Sequence, residues 1–411
     1  MKKGIFLFIV LMQAVGIFAQ DQNTTNQDEN RYFNSAERLL ATDGKLTIGG
    51  YGEVHYNQPL SSDVRNNGTL DVHRVVMLFG YQFNERTQFI TELEYEHVSE
   101  VYVEQAFLQY KLNNAVNLRA GLILTPMGII NEYHEPNTFN GVERPHIDKY
   151  IAPTTWREIG VGFTGTYIPA KIRYQAYVMN GFDGYDKDDK DGNYAKFSGK
   201  NGLRKGRQKG AESYISSPNF AAKVEYFGIR GLNLGLSGYV GKSQSTLYDG
   251  ISKDDAAEEA IADSSTVSIA MVGADARYSR NGLQLRGQFY FNSLGNTKQY
   301  NEFTKEEDGE LNDLGKSMIG YYVEAGYNVF NANSQIKSEL IPFVRYEGYD
   351  TQHSLESGIE RNKAYAAKVI TTGLTWKVTP KAAFKTDLQF VKTEADDKAQ
   401  TRFNAGFGIM F

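Results

Sequence analysis

Sixteen stretches of this chain alternate apolar with polar residues at every second position, and that rhythm constrains the 411 residues more than any motif in them. A period of two belongs to a strand with one apolar and one polar face, whereas a helix repeats every 3.6 residues or so. The stretches lie near 45–56, 70–83, 86–98, 100–111, 115–124, 157–168, 171–181, 218–228, 231–243, 266–278, 282–293, 317–330, 335–349, 364–377, 380–393 and 399–411. In one of them Val116, Leu118, Ala120, Leu122 and Leu124 oppose Asn117, Arg119 and Gly121; in another Phe384, Thr386, Leu388 and Phe390 oppose Lys385, Asp387 and Gln389. A sandwich with one wet face would alternate in the same way. The links separate the two folds. Short ones near 84–85, 113–114, 169–170, 229–230, 280–281, 331–334 and 378–379 interleave with others at 57–69, 125–156, 182–217, 244–265, 294–316 and 350–363, with short exceptions at Ser99 and 395–398. Tight turns on one side and long loops on the other is the asymmetry of outer-membrane barrels. The expectation is an all-β protein, a 16-stranded antiparallel transmembrane β-barrel with long extracellular loops and short periplasmic turns, over residues 44–411.

The two ends agree with export to a bacterial outer membrane. Lys2 and Lys3 precede an apolar run from Ile5 to Val15, then Gly16, Ile17, Phe18 and Ala19, which has the form of a secretory signal peptide over 1–19. Its apolar part is too short to span a bilayer as a helix, and no later stretch approaches the roughly 18–20 apolar residues needed. Residues 20–43 are a polar periplasmic lead-in, in which FNSAERLL, 33–40, suits a helical turn or two. At the other end Phe403, Ala405, Phe407, Ile409 and Phe411 share one apolar face. A bare strand there would be an aggregation hazard. In a closed barrel it pairs with the first strand instead, and Phe411 is expected to serve as the closure signal that the barrel-assembly machinery reads.

Composition fits. The chain holds 27 Tyr, 24 Phe and 40 Gly against 9 Pro, as many strands, tight turns and interfacial aromatic girdles require. A net charge of −5 gives no pull toward nucleic acid, and the absence of cysteine excludes disulfide scaffolds, thiol enzymes and cysteine metal sites. No cofactor and no metal is expected: the six histidines are not spaced as a zinc pair, and His73 and His97 share the lipid-facing parity of an interface girdle. GVGFTG at 160–165 lies inside a strand and not at a strand-to-helix turn, so it is no dinucleotide site; its glycines suit close packing of a folded-in loop. DKDDKDG at 186–192, within the loop 182–217, is an incomplete calcium loop with Lys187 at the first ligand position. The basic GKNGLRKGRQKG at 199–210 could contact lipopolysaccharide or be mobile, and mobility is the expectation. No triad can be assembled, so the chain is not expected to be an enzyme; an outer-membrane barrel enzyme of phospholipase or protease type, and a non-conducting adhesin, are the alternatives.

Sixteen strands close too wide a cylinder for side chains to fill, which leaves an aqueous channel. With the apolar faces toward lipid, Arg74, Arg119, Arg173, Lys223, Arg286 and Arg345 line the pore, together with the acids Glu92, Glu94, Glu96, Glu158 and Glu324. Both signs are present, so the wall alone does not decide ion preference. The loop 125–156, rich in Pro, Asn and aromatics, is the candidate to fold inward as a constriction at which Arg144, His146, Lys149 and Arg157 meet anionic or polar solutes. The alternative is a solvated surface loop with ordinary ion pairs.

LRAGLILTPMG at 118–128, a long loop containing ER at 143–144, and REIGVGFTG at 157–165 together resemble the central pattern of the phosphate-selective porin O/P family, and RVVMLFGYQFNERTQFITELEYEHV at 74–98 is similar to its early strands. The resemblance implies a diffusion porin, usually a homotrimer, with loops that narrow the pore. Passive diffusion of small hydrophilic solutes or ions, anions such as phosphate among them, is the function it implies, in contact with outer-membrane lipid and lipopolysaccharide. Phosphate-specific members carry a one-sided arginine ladder; here the inward set is mixed and three glutamates stand on the early strands.

Overall fold

The computed structural model describes residues 34–42, 44–61, 64–252, 254–305 and 309–411; the expected signal peptide and most of the lead-in lie outside the described residues. Each alternating stretch is a strand: β1 (Leu46–Pro59), β2 (Thr69–Gln82), β3 (Thr87–Glu96), β4 (Glu100–Lys111), β5 (Asn117–Leu124), β6 (Arg157–Tyr167), β7 (Ile172–Met179), β8 (Asn219–Ile229), β9 (Leu232–Lys242), β10 (Ser268–Arg280), β11 (Leu283–Gly295), β12 (Ser317–Tyr327), β13 (Glu339–Ser354), β14 (Ala366–Thr379), β15 (Ala382–Thr393) and β16 (Gln400–Met410). Every strand pairs antiparallel with its sequence neighbours, and β1 pairs with β16, from Tyr51 opposite Met410 to Pro59 opposite Arg402, so the sheet has no edge. The last residue completes the seam: Phe411 N donates to Gly50 O at 2.8 Å and Gly50 N to Phe411 O at 3.2 Å. A methyl at Gly50 would stand 2.5 Å from Phe411 Cζ, so only glycine lets the terminal ring lie there.

The two faces are inverted relative to a water-soluble protein. Leu236 (65% exposed), Val323 (58%) and Val161 (47%) point outward, whereas Arg74, Lys223 and Arg345 are buried within. Apolar side chains facing out and charges facing in is what a lipid exterior demands. None of the described helices is long and apolar enough to cross a membrane. Among the described residues four short helices are not part of the wall: α1 (Ser35–Leu40), α2 (Ile147–Tyr150), α3 (Ala256–Ser264) and α4 (Thr297–Phe303). α1 is the helical piece expected in the lead-in. Asn34 caps it, with Oδ1 accepting from Glu37 N at 2.9 Å while Glu37 Oε2 accepts from Asn34 N at 3.2 Å.

Four local expectations need correction. The link after β12 is not a tight turn but the segment 328–338, because Asn328 and Asn333 side chains take up the N–H groups of Phe330 and Gln335 at 3.1 and 3.0 Å and hold successive turns together. The glycines of GVGFTG answer to the neighbouring strand rather than to a loop: a methyl at Gly162 would lie 2.0 Å from Ala176 O on β7. The basic run 199–210 is packed, with Leu203 fully buried. Finally, the β1–β2 ladder slips: Glu53 pairs with Arg74 but Val54 with Val72, leaving His73 as an extra residue. A bulge of this kind breaks the alternation. His73 therefore turns into the barrel mouth, where its ring stacks on that of His55 at 4.5 Å.

Candidate functional site

The link 125–156 joins β5 to β6 and folds into the barrel, where nearly all of it is buried. Its backbone carries polar groups that need partners once water is excluded, and the wall supplies them. Lys223 Nζ on β8 donates to Gly128 O and to Glu132 Oε2, both at 2.5 Å; Gln288 Oε1 on β11 accepts from Ile129 N at 2.5 Å. Arg74 Nη2 holds His134 O at 2.5 Å, Asp387 Oδ2 holds Val142 N at 2.7 Å, and Asn292 Nδ2 holds Ile151 O at 2.8 Å. Glu347 Oε2 accepts from His146 N at 2.5 Å. The apolar members Ile129, Ile130, Tyr133 and Phe139 cluster among themselves, and Trp156 stacks on Phe182 at 4.5 Å where the chain returns to the wall.

These grips decide what the expected wall residues do. Arg74 pairs with Glu53 at 2.6 Å and Glu94 at 3.7 Å; Lys223 with Glu132, Glu225 and Asp275; Arg345 with Glu347 at 2.9 Å and Glu324 at 3.5 Å. Arg173 bonds Glu225 and Glu37, Arg286 lies 3.9 Å from Glu324, and Arg119 donates to Gln109 at 2.8 Å over the Phe107 ring. All six point into the barrel. Among the acids, Glu92 accepts from Tyr51 and Gln105, and Glu158 from Trp156, Tyr239 and Gly181 N. Of the expected acids only Glu96 reaches the open space above the loop.

That space is a vestibule of about 810 Å³ at the long-loop end. Arg144, His146 and Lys149 line it, together with Glu53, His55, His73, Glu143, Asp148, Arg204 and Arg402. Arg157 stands beside it, buried, its guanidinium 5.7 Å from the Tyr102 ring. His146 stacks on Tyr349, and Lys149 is exposed over Tyr150. Two cations that the sequence reading assigned to a mobile run join them, for the segment 199–210 packs on the inward loop: Arg207 Nη1 donates to Thr155 Oγ1 at 2.8 Å and to Thr154 O. A lone leucine between glycines and cations, Leu203, was the signal that this run is anchored.

Acids and bases in the vestibule differ in how they are satisfied. Glu53 is paired with Arg74 and His55. Burial alone would raise Glu143, but the hydrogen bond and charge of His55 bring it down to about 2, and Asn57 donates to it at 2.9 Å. Burial pushes Asp148 up to about 8, and Gln288 Nε2 and Tyr290 OH donate to it at 2.7 and 3.2 Å. The guanidinium groups of Arg144, Arg157, Arg204 and Arg207 form no ion pair among the described residues; Arg144 donates to His134 O at 3.5 Å and Arg157 to Thr155 O at 3.2 Å. Burial lowers Arg204 and Arg207, with Arg144 beside the first and Arg204 and Arg157 beside the second adding to it. Arg157 Nε and Arg204 Nη1 are buried donors without an acceptor.

A closed sixteen-stranded barrel with a loop folded into it is a porin architecture, and the sequence match decides the family: residues 49–406 match the phosphate-selective porin O and P family. The chain belongs to that family. It is an outer-membrane porin, and the long-loop end of the barrel is its extracellular end. A relative in Aquifex aeolicus (strain VF5), an uncharacterized protein, is 29% identical over 379 residues, covering 89% of the porin and 79% of the relative. Among solved structures, OmpF of Salmonella typhi in complex with daunomycin superposes with a TM-score of 0.56 at 14% identity, covering 89% of the porin and 97% of that chain. An anion-selective porin from Comamonas acidovorans gives 0.52 at 13% identity over 89% and 99%. At these identities the structural likeness concerns the fold of the porin alone.

Proposed function

We propose that the porin passes small oxyanions, phosphate among them, in preference to cations, and that the constriction is the junction of the inward loop with the segment 199–210. The observation that carries this reading is the unpartnered donors of Arg157 and Arg204 beside Arg144 and Arg207, against the vestibule carboxylates Glu53 and Glu143, which already hold partners. A carboxylate sharing its charge with a fixed cation attracts little, whereas a guanidinium without a counter-charge in a poorly hydrated wall attracts anions strongly. Planar guanidinium groups also match oxyanion geometry in two-point hydrogen bonds. His146 and Lys149 line the vestibule, Arg157 is buried beside it, and the wall cations Arg74, Lys223 and Arg345 hold the loop in place. Lys385 Nζ lies 3.9 Å from the Phe139 ring centre.

The test is the reversal potential of the purified porin in planar bilayers under a salt gradient, for the natural chain and for Arg144→Glu with Lys149→Glu. The natural chain prefers chloride, phosphate added to the bath reduces the chloride current, and the double variant loses both effects. Unchanged conductance and ion preference in the double variant would remove the constriction from this loop.

A further inference from the structure

We infer that Asp71, His73 and His97 form a binding site for a divalent transition-metal cation of the zinc type at the extracellular rim of the barrel. The three residues come from the start of β2 and from the turn between β3 and β4. Asp71 Oδ2 lies 2.7 Å from His97 Nδ1 and 3.4 Å from His73 Nδ1, and the three ligand atoms all fall within 4.8 Å of one another. Bonds of about 2.0–2.2 Å to a tetrahedral zinc ion set ligand atoms about 3.4 Å apart. Side-chain adjustments of about an ångström complete such a shell, and a fourth position stays open to water.

Two independent features of the backbone bring these side chains together. The β1–β2 bulge removes His73 from the lipid-facing series, and its main-chain oxygen accepts from His97 N at 3.2 Å. The turn after β3 places both His97 and Val98 in the left-handed region, φ 52° and 68°. That conformation is unfavourable for a residue other than glycine, and valine is among the least suited to it. A strained turn of this kind, where Asn-Gly would be relaxed, aims the His97 imidazole at Asp71. The side chains of His73, His97 and Asp71 remain 27%, 45% and 23% exposed, so an ion reaches them from water without unfolding anything. Two imidazole nitrogens with one carboxylate favour Zn²⁺, Cu²⁺ or Ni²⁺; Ca²⁺ and Mg²⁺ require more oxygen ligands than the set offers.

This site depends in no way on which solute the porin conducts, and its test reads binding. Chelator-stripped porin in detergent is titrated with Zn²⁺ near neutral pH by calorimetry. The expected result is one saturable ion per chain, no saturable Ca²⁺ binding, and an affinity at least about tenfold weaker in His97→Asn and in Asp71→Asn, since loss of metal-shell interactions costs on the order of 10–100-fold. Asparagine tolerates the left-handed backbone at 97, so that variant keeps the turn. Glu104→Gln, which disrupts the separate buried group of Glu92, Glu104 and His134, leaves the titration unchanged. Absence of saturable Zn²⁺ binding by the natural chain, equal binding by His97→Asn, or loss of binding on Glu104→Gln alone would overturn the assignment.

Discussion

Arg345 Nη2, on β13, donates to the main-chain oxygen of Glu143 at 3.1 Å, tying the tip of the inward loop to a wall strand far from either end of that loop in sequence. The same guanidinium pairs with Glu324 and Glu347 and lies 3.5 Å from Asn140 O. Replacing Arg345 by Met takes the nearest cation from two buried carboxylates, Glu324 keeping only Arg286 at 3.9 Å, which costs about 3–5 kcal/mol. The variant is expected to unfold at lower urea concentration by that amount and to show a larger, noisier single-channel current, because Glu347 also holds His146 N. A quiet channel of natural size in Arg345→Met would mean that the loop does not depend on this clamp.

The loop should also respond to pH. Burial raises Asp148 to about 8, and its Oδ2 has no hydrogen-bond partner. An unfolded aspartate titrates near about 3.9. A folded value above the unfolded one means that the folded chain binds the extra proton, so the contribution is fully present below about pH 4 and is lost as pH rises through about 8. Thermal stability should therefore decline across that window in the natural chain and decline less in Asp148→Asn, whose amide keeps an acceptor for Gln288 and Tyr290. Parallel pH profiles for the two proteins would remove Asp148 as the titrating group.

The lower end of the lumen carries a second obstruction. Glu37 on α1 accepts from Arg173 at 2.6 and 2.8 Å, Ser35 N donates to Glu135 Oε1 of the inward loop at 2.5 Å, and Gln88 on β3 holds Leu40 O. Deleting the segment through Leu40 should raise single-channel conductance while leaving ion preference where the extracellular cations set it. Glu37→Gln should produce part of that rise, since Arg173 keeps Glu225.

The absence of cysteine gives a clean background for mapping the vestibule. Arg204→Cys should react several-fold faster with an anionic than with a cationic thiosulfonate reagent applied from outside, because Arg144 remains beside it. Equal rates would show that the vestibule potential is not positive.

Alternation made the barrel legible. Period two runs through much of the wall because one side meets lipid and the other meets the packed interior. It failed where geometry departs from regular pairing: His73 changed face because of a bulge, which depends on how β1 and β2 register and leaves no mark in local composition. The inward loop was legible from its length and its Pro and Asn content. The fate of Arg204 and Arg207 was not, since their run becomes ordered only through Leu203 and through contacts with Thr154 and Thr155 distant in sequence. Arg74, Lys223 and Arg345 are buried within the barrel, and whether a lumenal cation meets solute or clamps a loop depends on which acid folds against it.

The most direct test is the ion preference of the natural chain itself. Mature porin reconstituted in a planar bilayer under a potassium chloride gradient should give steady steps of current with a reversal potential on the anion side, shifting toward zero as salt rises and screens the guanidinium cluster. A cation-side reversal potential, or no steady conductance at all, would contradict the account.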